Sequence, residues 1–87
     1  MRAVVKWGDG EEGMGLVDAP EPTVGPHDLL LEVGAVGICG SDIHLWRDEH
    51  EHRRPVIPGH EYSGVVIGKG ALVSDQWQVG DRVCGDL

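Results

Sequence analysis

Glycine and proline punctuate this 87-residue chain so densely, at 14 and 5 copies, that no apolar run can extend into a long helix. Inside a helix a glycine costs about 1 kcal/mol and a proline about 3 kcal/mol relative to alanine. Short strands joined by turns are what this pattern allows. Arg2–Trp7 reads as a first strand, Gly8–Gly13 as an acidic turn and Met14–Asp18 as a returning strand. Pro20, Pro22 and Pro26 make an extended linker, because proline lacks a donor and biases its predecessor away from helix. Leu29–Val36 is the strongest strand, apolar apart from Glu32, and reads as buried on both faces. Ser41 is placed as the cap of a short helical turn through Trp46, with Asp42 in its first turn. Residues 47–54 are charged and read as an exposed loop. Tyr62–Gly68 and Arg82–Cys84 complete the strands, with Gly80-Asp81 as a turn signal. Many short strands with this punctuation predict a small barrel or sandwich.

Eighty-seven residues leave room for one small domain. A chain of this size buries only about 60–65% of its unfolded surface, and with no Phe the core falls to Val, Leu, Ile and three Trp. Fifteen acidic against seven basic residues give a formal charge of −8. That excludes nucleic-acid and anionic-membrane partners, which require clustered Lys and Arg. Two cysteines, Cys39 and Cys84, could form one disulfide. The first residues lack a sustained apolar segment of the secretory kind, and no run approaches transmembrane length. A cytoplasmic location is expected, where a Cys near His and Glu more often binds metal or takes part in catalysis.

Cys39, His60 and Glu61 carry the three side-chain types that hold zinc in catalytic sites: thiolate, imidazole and carboxylate. Glycines flank each of them, so the backbone can turn and aim the side chains inward. Glu61 either ligates directly or sits just outside and tunes the field. Asp42 either accepts the far N–H of a ligating His, fixing its tautomer, or is a helix-start carboxylate on solvent. Ser41, two residues past the thiol, is an ordinary cap or the first member of a proton relay, with His44 as the next acceptor. His27, His50 and His52 read as ordinary loop residues, and Cys84 as a packing residue.

Two motifs are decoys. Gly8-Asp9-Gly10-Glu11-Glu12-Gly13 matches the dinucleotide pattern G-x-G-x-x-G, yet two glutamates would repel a pyrophosphate and no helix follows to bind one. His60-Glu61 begins a protease-like H-E-x-x-H, but Gly64 occupies the second histidine position.

Gly37–His44, Gly59–Gly64 and Val79-Gly80-Asp81-Arg82-Val83 together resemble the zinc-dependent medium-chain alcohol dehydrogenases, with the sorbitol and threonine dehydrogenases as the branches most alike. The resemblance implies a mainly β fold, a GroES-like partly open β-barrel with one or two short helical turns. It implies that residues 1–87 form a truncated N-terminal catalytic-domain portion, with the coenzyme-binding domain and the four-cysteine structural zinc lobe lying outside it. By motif position, Cys39 and His60 match the zinc ligands and Glu61 the neighbouring carboxylate. Ser41 and His44 match the proton relay, and Asp42 the outer partner of His60. The implied cofactors are Zn2+ and NAD or NADP, the substrate is a small alcohol or polyol, and the intact relative is a homo-oligomer. Two competing readings are a non-catalytic β-barrel that binds zinc or a partner chain, and a zinc-free reductase relative in which the motif only packs.

Overall fold

The computed structural model describes residues 1–49 and 52–86. His50 and Glu51, assigned above to the charged loop, lie outside the described residues. Five strands and one helix follow in the order β1 (Arg2–Lys6), β2 (Met14–Asp18), β3 (Leu29–Gly37), α1 (Gly40–Trp46), β4 (Glu61–Lys69) and β5 (Arg82–Asp86). They gather into two compact units, one of Met1–Glu21 with Ile38–Gly59 and one of Pro22–Gly37 with His60–Leu87. The mainly β, partly open expectation holds, as two open antiparallel sheets.

The first unit is built on the β1–β2 hairpin, in register from Arg2↔Asp18 to Lys6↔Met14. A single 3-10 turn over Glu11–Gly13 leads into β2. The N–H groups of Trp7 and Gly8 both donate to the Gly13 carbonyl, at 2.8 and 3.1 Å. A side chain at Gly13 would collide with the backbone of Gly8, so the glycines of the decoy motif serve hairpin closure. Beyond the hairpin, Lys6 exchanges both backbone hydrogen bonds with Val56, at 2.8 and 3.0 Å. Val5 is buried here and Lys6 is fully buried, the reverse of what alternation would assign to a charged residue.

The second unit is a three-stranded sheet in the order β3-β4-β5. Val66 is fully buried, opposite Leu31 across the ladder. The expectation that Leu29–Val36 is covered on both faces is corrected: its first three residues are half-buried and the rest exposed. An apolar run marks a strand that tolerates burial, but two-sided burial needs a layer on each face. No helix of the described residues belongs to this unit. Gly80 has a positive φ of 97°, as the turn before β5 requires.

Candidate functional site

In the first unit the chemistry gathers around α1. Cys39 holds extended backbone angles (φ −118°, ψ 174°) as the residue preceding the helix, and its N–H donates to Asp42 Oδ2 at 3.0 Å. This is the reach-back of a capping box, in which an acid three positions into the helix satisfies an otherwise orphaned donor. The cap is therefore Cys39 and not Ser41, because Gly40 already has helical geometry. Ser41 lies inside the first turn, with its Oγ 2.9 Å from Cys39 Sγ. Asp42 is half-buried, and its contact with the Cys39 backbone makes it a carboxylate of the helix start.

The other end of α1 closes with two backbone bonds in the Schellman pattern. Asp48 N–H donates to Leu45 O at 3.2 Å and Glu49 N–H to His44 O at 2.9 Å. This pattern needs a left-handed residue after the helix, and Asp48 supplies it with φ 59°, a conformation Asp adopts more readily than most side chains. Lys6 completes the end. Its ammonium donates to Gly10 O at 2.5 Å and to Trp46 O, a last-turn carbonyl, at 3.0 Å, and lies 3.4 Å from Asp48 Oδ2. A cation at a helix C-terminus is favoured by the exposed carbonyls there.

Asp48 also accepts from the Gly10 N–H and from Arg54 Nη2 at 2.8 Å. The Gly10 hydrogen bond, followed by those of Arg54 and the charges of Arg54 and Lys6, outweighs partial burial and holds the Asp48 carboxyl below its ordinary range. Arg54 is correspondingly raised, first by its bond to Asp9 and then by Asp48. His52 joins this network, its Nε2 accepting from Arg54 Nε at 3.2 Å, with its side chain almost covered. The expectation of an exposed 47–54 loop is thus corrected at Asp48 and His52, which are half-buried, while Arg54 stays exposed and ties the loop down through ions the sequence pattern could not pair.

His44 Nδ1 lies 2.5 Å from Glu49 Oε2. Both side chains are about half exposed, at 56% and 44%.

In the second unit, Glu61 opens β4 and Asp86 closes β5, and the two are directly opposite partners. His60 precedes Glu61, after a Gly59 whose φ of 110° is open mainly to glycine. Ligand atoms of His60, Glu61 and Asp86 all lie within 4.8 Å of one another. Around tetrahedral zinc, donors at about 2.1 Å from the ion stand roughly 3.4 Å apart, so small side-chain rotations would bring these three onto one ion. Nitrogen and carboxylate oxygen are suitable zinc donors, and like charges directly opposite on a sheet are unfavourable without a counter-charge. The residues present fit a divalent cation.

Cys84 is exposed, in a shallow groove with Ala35, Gly37, Glu61, Ser63 and Asp86, which corrects the packing expectation. Its position in β5 alternates with half-buried Val83 and Gly85. Neither Cys39 nor Cys84 forms a disulfide.

The structure thus places Cys39, Ser41, Asp42 and His44 in the first unit and His60 and Glu61 in the second. Residues missed from sequence are Lys6, Asp48, Glu49 and Asp86. For Glu49 a local signal existed, five positions after His44 at the end of a short helix. Asp86 had none, because its approach to Glu61 depends on strand register.

The strands and the α1 loop define a portion of a GroES-like domain. Residues 25–86 match the family model of the alcohol dehydrogenase GroES-like domain, and the chain belongs to this family. An L-threonine 3-dehydrogenase of Shewanella pealeana is 44% identical over 80 residues, covering 87% of this chain and 23% of that protein. A protein described as a zinc-binding dehydrogenase from Sinorhizobium meliloti, solved with NADP bound, superposes with a TM-score of 0.88 at 39% identity, over 98% of this chain and 24% of that one. The cobalt- and zinc-bound thermostable alcohol dehydrogenase from Pyrobaculum aerophilum gives 0.86 at 33% identity, over 97% of this chain and 26% of that one. The chain thus spans about a quarter of the length of the relatives it matches. Among the described residues no helix is long and apolar enough to cross a membrane.

Proposed function

We propose that this chain supplies the zinc-binding and proton-relay portion of a zinc-dependent, NAD(P)-linked alcohol or polyol dehydrogenase. The observation that carries the reading is the family match over residues 25–86, which contains Cys39, Ser41, Asp42, His44, His60 and Glu61 together. Cys39, His60 and Glu61 are the proposed ligands, and Asp42 the outer partner of His60. Support comes from the second unit: β3 ends at Gly37 and β4 begins at Glu61, its partner across the ladder. Both connections to residues 38–59 therefore leave from one end of one ladder. The thiol follows one exit by two residues in sequence, and the imidazole immediately precedes the strand at the other.

Zinc, when bound, supplies a Lewis acid that lowers the pKa of a substrate hydroxyl toward neutrality. Ser41 takes up the hydroxyl proton and His44 passes it toward solvent, a role its half-exposed ring suits. No side chain can accept a hydride, so the reaction requires NAD or NADP, held by a separate coenzyme-binding domain. We place the intact protein in the cytoplasm as a homo-oligomer, association being favoured by unpaired sheet edges.

Zinc titration of the chain against a chromophoric chelator tests the metal reading. One ion per chain is expected, with uptake lost in Cys39→Ser and in His60→Ala; uptake unchanged in both variants would overturn the ligand set. Joining the chain to a relative's coenzyme domain and following nicotinamide reduction tests the relay, with Ser41→Ala expected to slow turnover severely. Because the chain spans about a quarter of its relatives, a second reading is a domain that binds zinc or a partner chain without catalysis of its own. Zinc uptake with no turnover in the joined protein would favour that second reading.

A further inference from the structure

The end of α1 holds more than a helix stop. In a Schellman closure the second residue after the cap folds back over the third residue before it, and an apolar contact usually fills that space. Here the two residues are Glu49 and His44, joined by the backbone bond of 2.9 Å and by carboxylate against imidazole at 2.5 Å. Arg47 Nη1 stands 4.0 Å from the other carboxylate oxygen. An exposed pair of this kind contributes little to stability. Its persistence comes from the backbone: Asp48 is fixed in its left-handed conformation by Gly10, Arg54 and buried Lys6, and that sets the direction in which Glu49 leaves.

We propose that Glu49 is a positioning residue for His44: its carboxylate accepts from Nδ1–H and so selects the tautomer whose Nε2 can take a proton. An ionised carboxylate has no proton to donate, so a neutral imidazole beside it must carry its hydrogen on Nδ1. The other ring nitrogen is then the basic one. The proposal rests on the reading of His44 as a relay residue only for its purpose, because the tautomer itself is measurable without metal, cofactor or substrate.

The test is a long-range 1H–15N NMR correlation on the 87-residue chain, in mildly alkaline buffer where imidazole is neutral, with His44 assigned by substitution. The Nδ1–H form is expected to be the major species at His44. In Glu49→Ala it should fall to the minor species, while the amide signals of α1 and the patterns of the other histidines stay in place. Glu49→Asp should restore it in part. A second variant, Asp48→Gly, keeps a residue suited to the left-handed position but removes the carboxylate that fixes it, and should weaken the bias without abolishing it. His44 in the Nε2–H form in the unaltered chain, or a ratio unmoved by Glu49→Ala, would overturn the proposal. Failure of zinc uptake with the tautomer as expected would sink the dehydrogenase reading and leave this one standing.

Discussion

Lys6→Met is the perturbation with the largest expected effect outside the proposed ligands. Lys6 is fully buried, and methionine retains most of the apolar stem while deleting the ammonium. Two carbonyls, on Gly10 and Trp46, then lose a charged donor that sits 2.5 and 3.0 Å away. Bonds to a charged group are worth about 1.5–3 kcal/mol each, and relief of the ammonium's desolvation offsets part of the loss. A net destabilisation of about 2–4 kcal/mol follows from the difference. Against the roughly 4–13 kcal/mol available to a domain of this size, that is a large share. At about 4–8 °C per kcal/mol for small domains, the melting temperature should drop by roughly 8–32 °C. Trp7 and Trp46 belong to the same unit as Lys6, so thermal unfolding followed by tryptophan fluorescence and far-UV circular dichroism reads the change. A variant melting within about 3 °C of the parent would refute the view that the ammonium caps the helix end.

Asp48 gives a pH dependence with a definite sign. Its folded pKa lies below the ordinary 3.8, so the folded state binds fewer protons than the unfolded one as pH falls past that value. The contribution is complete above about pH 5 and is lost as pH drops through the lowered folded value. Denaturant midpoints measured from neutral pH downward should fall more steeply for the parent than for Asp48→Asn; parallel curves would contradict this. At Gly64 an added Cβ would come within 2.5 Å of the Glu32 carbonyl oxygen on β3. Gly64→Ala should therefore cost about 1–3 kcal/mol through overpacking, read as a lowered denaturant midpoint with the zinc stoichiometry intact. Removing bound zinc with a chelator should lower the melting temperature of the chain but not of Cys39→Ser, since an ion held only by the folded state stabilises it in proportion to its occupancy.

The strands were legible because their signals are local. Arg2–Lys6 and Met14–Asp18 stand within a residue of the strands read on either side of the Gly8–Gly13 turn. The proximity of Ser41 to Cys39 was also legible, because two residues of chain cannot separate them far. The helix start was misjudged by two positions, since the choice between Ser41 and Cys39 as cap depends on where the Asp42 carboxylate turns. That is a three-dimensional event.

Sequence alone settled the strand-and-turn character of this protein and the set of donors it carries, because backbone sterics and side-chain chemistry are properties of each residue and its neighbours. Tertiary structure decided which residues those donors meet. The burial of a lysine beneath a helix end 40 residues away, the exposure of most of the apolar β3 strand and the pairing of Glu61 with Asp86 all depend on which strands register together and which faces receive a covering layer. Those choices are made by the free energy of the packed chain, in which a distant carbonyl or carboxylate can outweigh what a residue prefers by itself.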